Sequence, residues 1–293
     1  MNIVVLQTFL AIVETGSLVR ASERLNVTQS TVTARLRTLE DELGQTLLLR
    51  QKSGATLTPA GAKLMRYADA MVGLWRQARY ETGLPQGTDS VCNFGCHADL
   101  WPGPGRAFFN AVNKGRAKMA LAAWQGEHAE LDRWLGSGLL DAVMTYRPTV
   151  HGNQTIHALR PDEIVLFATE PDRPMRFDPG YVFVDLGEDF RTRHATAYAD
   201  ADTARIVFGT ALWALEFLLE NGGSAYLPGR LAAPHLAEGR LFAVPDAPAF
   251  RRNVYLVVND RAAAGWTWLP ALVEDLSAAS VARGAAGAGD DAG

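Results

Sequence analysis

The stretch LNVTQSTVTARLRTLEDELG, residues 25–44, decides the fold of the N-terminal region. Its apolar residues Val32, Leu36, Leu39 and Leu43 recur every three or four positions, which predicts one buried face of a helix. The other face begins with hydroxyl and amide side chains, which are mediocre helix formers, so helix propensity does not explain them. That face carries Gln29, Ser30, Thr31, Thr33, Arg35 and Arg37.

The neighbouring segments predict a helix-turn-helix followed by a wing. An apolar stripe ends near Gly16, and Ser17 and Thr28 are N-cap candidates for a second and a third helix. The segment TLLLRQKSGATLT, residues 46–58, has two β-capable arms around Ser53-Gly54, which predicts a hairpin. The first two helices are indicated by Leu6, Phe9, Leu10 and Val13, and by Leu18, Ala21 and Leu25.

Thr58-Pro59 predicts the start of a longer helix, because a cap residue precedes proline at the first helical position. Apolar residues spaced 3, 4, 3 and 4 positions apart form a short heptad seam, which indicates pairing with a second copy. The alternative is an amphipathic helix packed on its own domain. TGLPQGTDS, residues 82–90, breaks the helix and is typical of a linker. The seam consists of Leu64, Tyr67, Met71, Leu74 and Ala78.

Beyond residue 90, strand and helix patterns alternate, which predicts parallel sheets with crossover helices. We expect an N-cap near Asp99 for the first of these helices, one helix from about 202 to 220 and a closing helix over residues 266–280. The Gly/Ala-rich residues 282–293 are predicted to be disordered. The strands are expected in VCNFG, KMALAAW, DAVMTY, EIVLFAT, YVFVDL, SAYLP and NVYLVVN.

Composition favours a chain of about two domains. It has 293 residues, 48% of them hydrophobic, and a net charge of −4 that is divided unevenly: +3 over residues 1–82 and −7 over the rest. A mildly basic N-terminus on an acidic body fits a nucleic-acid contact confined to the N-terminus. The start lacks a basic region and a cleavage site, and no apolar run approaches a membrane span, so we expect a cytoplasmic protein that does not bind membranes.

Residues 3–82 resemble the N-terminus of the LysR-type transcriptional regulators, through FLAIVETGSLVRASERLNVTQSTVTARLRTLEDELGQTLLLR and LTPAG. The rest resembles that family's effector domain, two α/β lobes around a ligand cleft as in periplasmic binding proteins; GGSAYLPGRLA is the clearest match. The family usually has an aromatic residue where this chain has Leu48-Leu49-Arg50, and Ser-Arg-Gln where it has Thr33-Ala34-Arg35. The expected fold is thus α+β and α/β: a winged helix-turn-helix (1–58), a linker and dimerisation helix (59–82), a linker (83–90), an effector domain (91–281) and a tail (282–293).

The resemblance explains the polar helix tip. A recognition helix enters the major groove with its N-terminus first, so its first turns need short donors and acceptors. We therefore predict that Gln29, Ser30, Thr31, Thr33 and Arg35 contact a double-stranded operator; capping and solvation, or pairing of the arginines with Glu40 and Asp41, are the alternatives. On the wing, Arg50 and Lys52 suit phosphate or minor-groove contacts. The resemblance also implies a homodimer or homotetramer, with RNA polymerase as a further candidate partner.

Open α/β sheets bind ligands at the carboxyl ends of their strands, and the resemblance implies effector contacts at the same turns. No cofactor is expected. Because Asp99 and Glu127 would repel a carboxylate, we expect a neutral or cationic effector. The candidate effector-binding residues are His97, Asp99, Gln125, Glu127, Tyr146, Thr203 and Ser224.

Cys92 and Cys96 allow three interpretations. They share one strand face, so two buried free thiols is the simplest. A redox sensor would need an exposed, low-pKa thiolate, and residues four apart on a strand lie roughly 13 Å apart, beyond disulfide reach. Metal binding through Cys96-His97 lacks further ligands nearby.

The sequence carries no enzyme signature: G-x-S-x-G, H-E-x-x-H, a P-loop and a helix-opening G-x-G-x-x-G are all missing. We predict a ligand-responsive, sequence-specific DNA-binding regulator. The alternative is a regulator or sensor controlled by protein partners or by thiol redox chemistry. A free-standing solute-binding protein is not expected, because the chain carries a helix-turn-helix.

Overall fold

The computed structural model describes residues 2–51, 54–175, 178–199 and 203–278. The chain divides into two compact units, and the first boundary along the chain lies between Thr88 and Asp89. The predicted tail, residues 282–293, lies outside the described residues.

The first unit begins with three capped helices. The side chains of Ser17 and Thr28 accept hydrogen bonds from the amides of Arg20 and Thr31, so both predicted N-caps are confirmed. Because each cap bonds an amide only three residues ahead, local sequence was enough to identify it. The helices are α1 (Ile3–Thr15), α2 (Leu18–Leu25) and α3 (Gln29–Leu43).

The predicted wing is an antiparallel hairpin of β1 (Leu48–Gln51) and β2 (Gly54–Leu57). Leu48, one of the leucines that stand where the family usually has an aromatic residue, is buried in the core of the unit. Residues 52 and 53 at the tip lie outside the described residues.

Helix α4 (Pro59–Thr82) follows the wing, and the Thr58 hydroxyl accepts from the amide of Gly61 as predicted. A Cβ at Gly61 would lie 2.1 Å from the carbonyl oxygen of Leu47, so only glycine fits where α4 approaches the backbone of Leu47 this closely.

One prediction for α3 is wrong. Val32, Leu36 and Leu39 are fully buried, but Leu43 is 44% exposed. Leu43 is the last residue of α3 before the left-handed Gly44 cap, where the chain turns back toward the wing.

The second unit is built on a sheet of nine strands within the described residues, in the order β4-β3-β5-β11-β6-β9-β7-β8, with β10 paired to β6. The predicted parallel pairings occur between β3 and its neighbours β4 and β5, and between β7 and its neighbours β8 and β9. The strands are β3 (Ser90–Cys96), β4 (Met119–Gln125), β5 (Ala142–Thr145), β6 (Gln154–Ala168), β7 (Tyr181–Val184), β8 (Ile206–Phe208), β9 (Ser224–Pro228), β10 (Phe242–Ala243) and β11 (Phe250–Asn259).

The sheet also contains antiparallel pairings that the alternating pattern did not predict, because the long strands β6 and β11 run antiparallel to each other and to their neighbours. They join lobe 1, which contains β3, β4 and β5, to lobe 2, which contains β7, β8 and β9. Their pairing shifts register between Arg252 and Val254, opposite the segment that contains Pro161, a residue without an amide donor. Separate hydrophobic cores fill the two lobes.

The helices of the second unit differ from prediction in one region. The single helix expected from 202 to 220 is wrong, because Ile206–Phe208 form β8 and the helix begins after Thr210, which caps it. A helix over Glu188–Ala197 was not predicted. The helices are α5 (Arg106–Gly115), α6 (His128–Gly136), α7 (Glu188–Ala197), α8 (Ala211–Asn221), α9 (Gly229–Ala237), α10 (Asp260–Ala263) and α11 (Leu269–Ala278).

Among the described residues, no helix combines the length and the apolar character that crossing a bilayer requires.

Candidate functional site

The polar tip of α3 is open to solvent. Gln29 and Ser30 are exposed, while Thr31 and Thr33 are half-buried at the margin of the same face. The Thr28 hydroxyl lies 2.8 Å from those of both Ser30 and Thr31, which orders the first turn. The tip therefore presents short donors and acceptors of the kind that reach base edges.

The arginines of α3 and of the wing have different surroundings. Arg35 is half-buried and donates from Nη1 to the hydroxyl of Thr8 on α1 at 3.4 Å, whereas Arg37 is exposed. Glu40, a suggested partner for these arginines, instead accepts the amides of Leu47 and Leu48 at 2.8 and 3.3 Å. The structure describes Arg50 only as a residue of β1, and Lys52 lies outside the described residues.

The predicted seam on α4 is mostly uncovered. Leu64 packs against the core of the first unit, but Tyr67, Met71 and Leu74 are 58%, 39% and 40% exposed, and Ala78 is also exposed. The helix uses other residues, Ala68 and Val72, for its own packing. The chain thus has an apolar helix face available for a partner.

In lobe 1, three strand ends bring four of the predicted effector-binding residues together. The His97 ring lies 3.6 Å from a carboxylate oxygen of Glu127 through Nε2, and 5.2 Å between centroids from the Tyr146 ring. Its Nδ1 accepts the amide of Asp99 at 3.3 Å. Parallel strands place their carboxyl ends at one edge of the sheet, which explains this convergence.

His97 is uncharged at neutral pH. Burial lowers its pKa to about 4, and nearby Arg252 and Arg230 add to the effect. Glu127 is close enough for an ion pair, but its carboxylate is 60% exposed and does not offset the burial. The ring stacks on His128, with centroids 5.0 Å apart, and burial followed by the His97 contact also lowers the pKa of His128 to about 4.

Asp99 does not cap the helix that follows it. That helix, α5, begins at Arg106, and Asp99 lies in a short turn over residues 98–100. Its carboxylate is 1% exposed and accepts the amides of Ala211 and Leu212, the first two residues of α8 in lobe 2, at 3.1 and 3.2 Å. The N-cap prediction for Asp99 is therefore wrong, because the helix terminus that it satisfies is distant in sequence.

Arg230 forms a second link between the lobes. It is the second residue of α9 in lobe 2 and donates to both carboxylate oxygens of Asp162 on β6, at 2.7 and 2.9 Å. It also donates to the main-chain carbonyls of Asp99 and Pro102 in lobe 1. Gly103, at φ 136°, packs against the Arg230 side chain, where a Cβ would lie 3.2 Å from Cδ. Arg230 lies within GGSAYLPGRLA, the clearest family match of this domain, but the stretch did not mark the arginine itself as a link between the lobes.

Arg252 of β11 lies between the Tyr146 ring and the Asp99 carboxylate. Its guanidinium carbon is 3.4 Å from the centroid of the Tyr146 ring, and its Nη1 is 3.9 Å from a carboxylate oxygen of Asp99. That Nη1 is buried and has no hydrogen-bond partner among the described residues. Two buried acids, Asp99 and Asp162, thus face two largely buried arginines.

Beside this cluster, a cleft of about 710 Å³ opens between the lobes. Its walls come from residues 146–148, which follow β5, from residues 186–190, which lead into α7, and from residues 250–253 of β11. Tyr146 is the predicted effector-binding residue that lines it.

The remaining predicted effector-binding residues lie apart from this cleft lining. Gln125 and Thr203 are exposed. Ser224 is fully buried, and its hydroxyl donates to a carboxylate oxygen of Asp178 at 2.6 Å.

Both cysteines are buried free thiols. Burial raises the pKa of Cys96 to about 12 and that of Cys92 well above its usual range, so neither supplies a thiolate at neutral pH. Among the described residues, no cluster of three or more His, Cys, Asp or Glu could hold a metal ion.

Comparison with known proteins agrees with this architecture. The family model described as "Bacterial regulatory helix-turn-helix protein, lysR family" matches residues 3–62. The HTH-type transcriptional regulator HdfR of Yersinia pestis (strain Pestoides F) is 28% identical over 269 residues, which cover 88% of this chain and 90% of that protein. HdfR of Yersinia pseudotuberculosis serotype O:1b (strain IP 31758) matches equally well.

Solved structures share the fold over 94–95% of the chain. CbnR, a LysR family transcriptional regulator, has a TM-score of 0.67 at 15% identity and covers 94% of this chain and 99% of its own. The full-length regulator LysG of Corynebacterium glutamicum has a TM-score of 0.53 at 22% identity, with 95% and 98% coverage. The family model and the relatives thus identify a lysR-family DNA-binding helix-turn-helix at the N-terminus, and over most of its length the chain is similar to LysR-type transcriptional regulators and shares their fold.

Proposed function

We propose that this regulator reads a double-stranded operator through α3 and the wing, pairs through α4, and responds to a small anionic effector bound between the lobes of its second unit. The exposed polar tip of α3 is the observation that supports operator reading. In this proposal Gln29, Ser30, Thr31 and Thr33 contact bases, Arg35 contacts a base or a phosphate, and Arg50 and Lys52 contact the backbone.

Pairing is supported by the uncovered face of α4. Tyr67, Met71, Leu74 and Ala78 recur at heptad spacing and are exposed, so a second α4 would bury them. Two copies would present two recognition helices to a pseudo-palindromic site. A tetramer formed by two such dimers is compatible with the same seam.

The charge of the cleft indicates the class of effector. Four arginines line it, Arg147, Arg193, Arg251 and Arg252, against the two acids Glu188 and Asp189. Arg193 already bonds Asp189, while Arg147 and Arg251 have no ion-pair partner among the described residues. The expectation of a neutral or cationic effector depended on Asp99 and Glu127. The Asp99 carboxylate is already bound by α8, and Glu127 is not among the residues that line the cleft. The cleft therefore favours an anion.

Control by thiol chemistry is the weaker candidate, since Cys92 and Cys96 are buried and their thiolates are disfavoured. Control by a protein partner would leave the cleft without a ligand.

A ligand screen on the full chain tests the proposal. Small anionic metabolites are compared with cationic and neutral ones by thermal shift, and a ligand at 100 times its dissociation constant adds about 2.7 kcal/mol, or roughly 5–10 °C. The Arg147→Gln variant should lose the shift, whereas Arg106→Gln, outside the cleft, should retain it. A gel shift on the chain's own upstream intergenic DNA, with and without the hit, then measures the response. If no anion shifts the melting temperature, control by a protein partner becomes the better account.

A further inference from the structure

The first turn of α8 is completed by a residue from the other lobe. A helix cannot satisfy its own first amides. In α8, Thr210 caps the amide of Trp213 at 3.2 Å, and the carboxylate of Asp99 accepts the amides of Ala211 and Leu212, one with each oxygen. Asp99 precedes these amides by more than 100 residues, so this is no local cap.

The surroundings of the carboxylate are those of a bound anion. It is almost fully buried against the positive end of a helix of 11 residues. Arg252 lies 3.9 Å away, with a buried Nη1 that lacks a hydrogen bond among the described residues. Arg230 fixes the same turn by binding the carbonyls of Asp99 and Pro102.

We propose that Asp99 is a built-in carboxylate ligand: it fills an anion-binding subsite at the N-terminus of α8 and thereby holds the two lobes closed without an external carboxylate. The subsite adjoins the cleft lined by Arg147, and Arg252 borders both. The proposal rests on the proposed function only where it concerns transcription. The ligand class that the subsite takes is a small carboxylate.

The arrangement explains why a free carboxylate would not occupy this subsite in the native chain. Asp99 is tethered, so its effective concentration at α8 far exceeds that of a metabolite. An effector therefore acts from the neighbouring cleft or has to displace Asp99.

Chemical rescue tests the proposal in the full chain. Asp99→Ala removes the carboxylate and leaves space of about the size of formate. We expect the variant to melt at least about 5 °C below the native chain, and sodium formate to recover at least half of that loss when compared with sodium chloride at equal ionic strength. The native chain and Asp89→Ala, which removes a surface carboxylate 65% exposed, should show no formate-specific shift.

Hydrogen exchange at α8 gives an independent readout. In Asp99→Ala, the amides of Ala211 and Leu212 should exchange at least about 10-fold faster and slow again in formate, while that of Trp213 keeps its Thr210 cap and changes little. If Asp99→Ala does not fold, Asp99→Asn replaces it, and one of the two amides should lose protection because the Asn amide group supplies a single acceptor.

Two outcomes overturn the proposal: a loss of stability that formate and chloride restore equally, or unchanged protection of Ala211 and Leu212. Neither depends on the effector screen, so a failed screen with successful formate rescue would reject the cleft and retain the subsite.

Discussion

Arg230 and Asp162 form a two-point ion pair, with nitrogen–oxygen distances of 2.7 and 2.9 Å, that joins α9 of lobe 2 to β6. The Tyr146 hydroxyl donates to the same carboxylate at 2.8 Å. Asp99 and Arg252 lie nearby, so this buried cluster holds two carboxylates and two guanidinium groups, and their charges cancel. This cancellation of charge stabilises the fold, because an unpaired charge in a buried site costs several kcal/mol of folding free energy.

Removing one member of this pair should therefore destabilise the second unit. Asp162→Ala leaves Arg230 without its carboxylate, and we expect a loss of about 3–5 kcal/mol in the free energy of unfolding, measured by urea titration. The surface pair Asp89–Lys118 supplies the control, and Asp89→Ala should change stability by less than about 1 kcal/mol. Equal losses of unfolding free energy in the two variants would show that the buried pair stabilises the fold no more than the surface pair does.

The buried histidine predicts a specific pH dependence. The pKa of His97 is about 4 in the fold, below its ordinary value of 6.5, because burial and then Arg252 and Arg230 disfavour the cation. Between these two values the unfolded chain binds more protons than the folded chain, so stability falls as pH falls from 6.5 towards 4. The slope from one such group is at most about 1.4 kcal/mol per pH unit.

His97→Asn should flatten that slope while keeping an acceptor for the Asp99 amide. The pKa of buried Asp99 is raised and acts in the opposite direction, so the measurement compares each variant with the native chain at every pH. The half-exposed His151 serves as control, and His151→Asn should retain the native slope. An unchanged slope in His97→Asn would mean that this ring is not the group being protonated.

Operator reading predicts a contrast between two kinds of variant. Gln29→Ala and Thr33→Ala should each cost roughly 1–3 kcal/mol of operator affinity and relax specificity at one position. Arg50→Ala should weaken binding to all sequences and reduce the salt slope by about 1. Gln45→Ala, at an exposed polar residue just past α3, is the matched control. Unchanged affinity in both tip variants, by fluorescence anisotropy, would mean that another face reads DNA.

The sequence could predict interactions between residues close together along the chain, but not those between residues far apart along it. Ser17, Thr28 and Thr58 each cap an amide three residues ahead, so the starts of these three helices could be predicted from local pattern alone. Asp99 was identified as a polar residue at a strand end, but its partners at Ala211 and Leu212 depend on how the lobes close. Arg230 lies in the family-like stretch GGSAYLPGRLA, but its pairing with the distant, buried Asp162 is not recorded in any local pattern.

The seam on α4 makes the last prediction. Met71 is 39% exposed at the centre of a heptad row whose neighbours Tyr67 and Leu74 are also uncovered, so pairing would bury it. A fragment of residues 1–88, which contains all of the first compact unit except Ser137–Leu139, should sediment as a dimer. Met71→Glu would place a charge in the dry seam, and we expect at least a 100-fold weaker dimer, equivalent to about 2.8 kcal/mol.

Arg76→Glu changes charge on the same helix at the heptad position farthest from the seam and should leave the dimer intact. A native fragment that sediments as a monomer would show that α4 alone does not pair, and equal dissociation in both variants would point to charge rather than to burial.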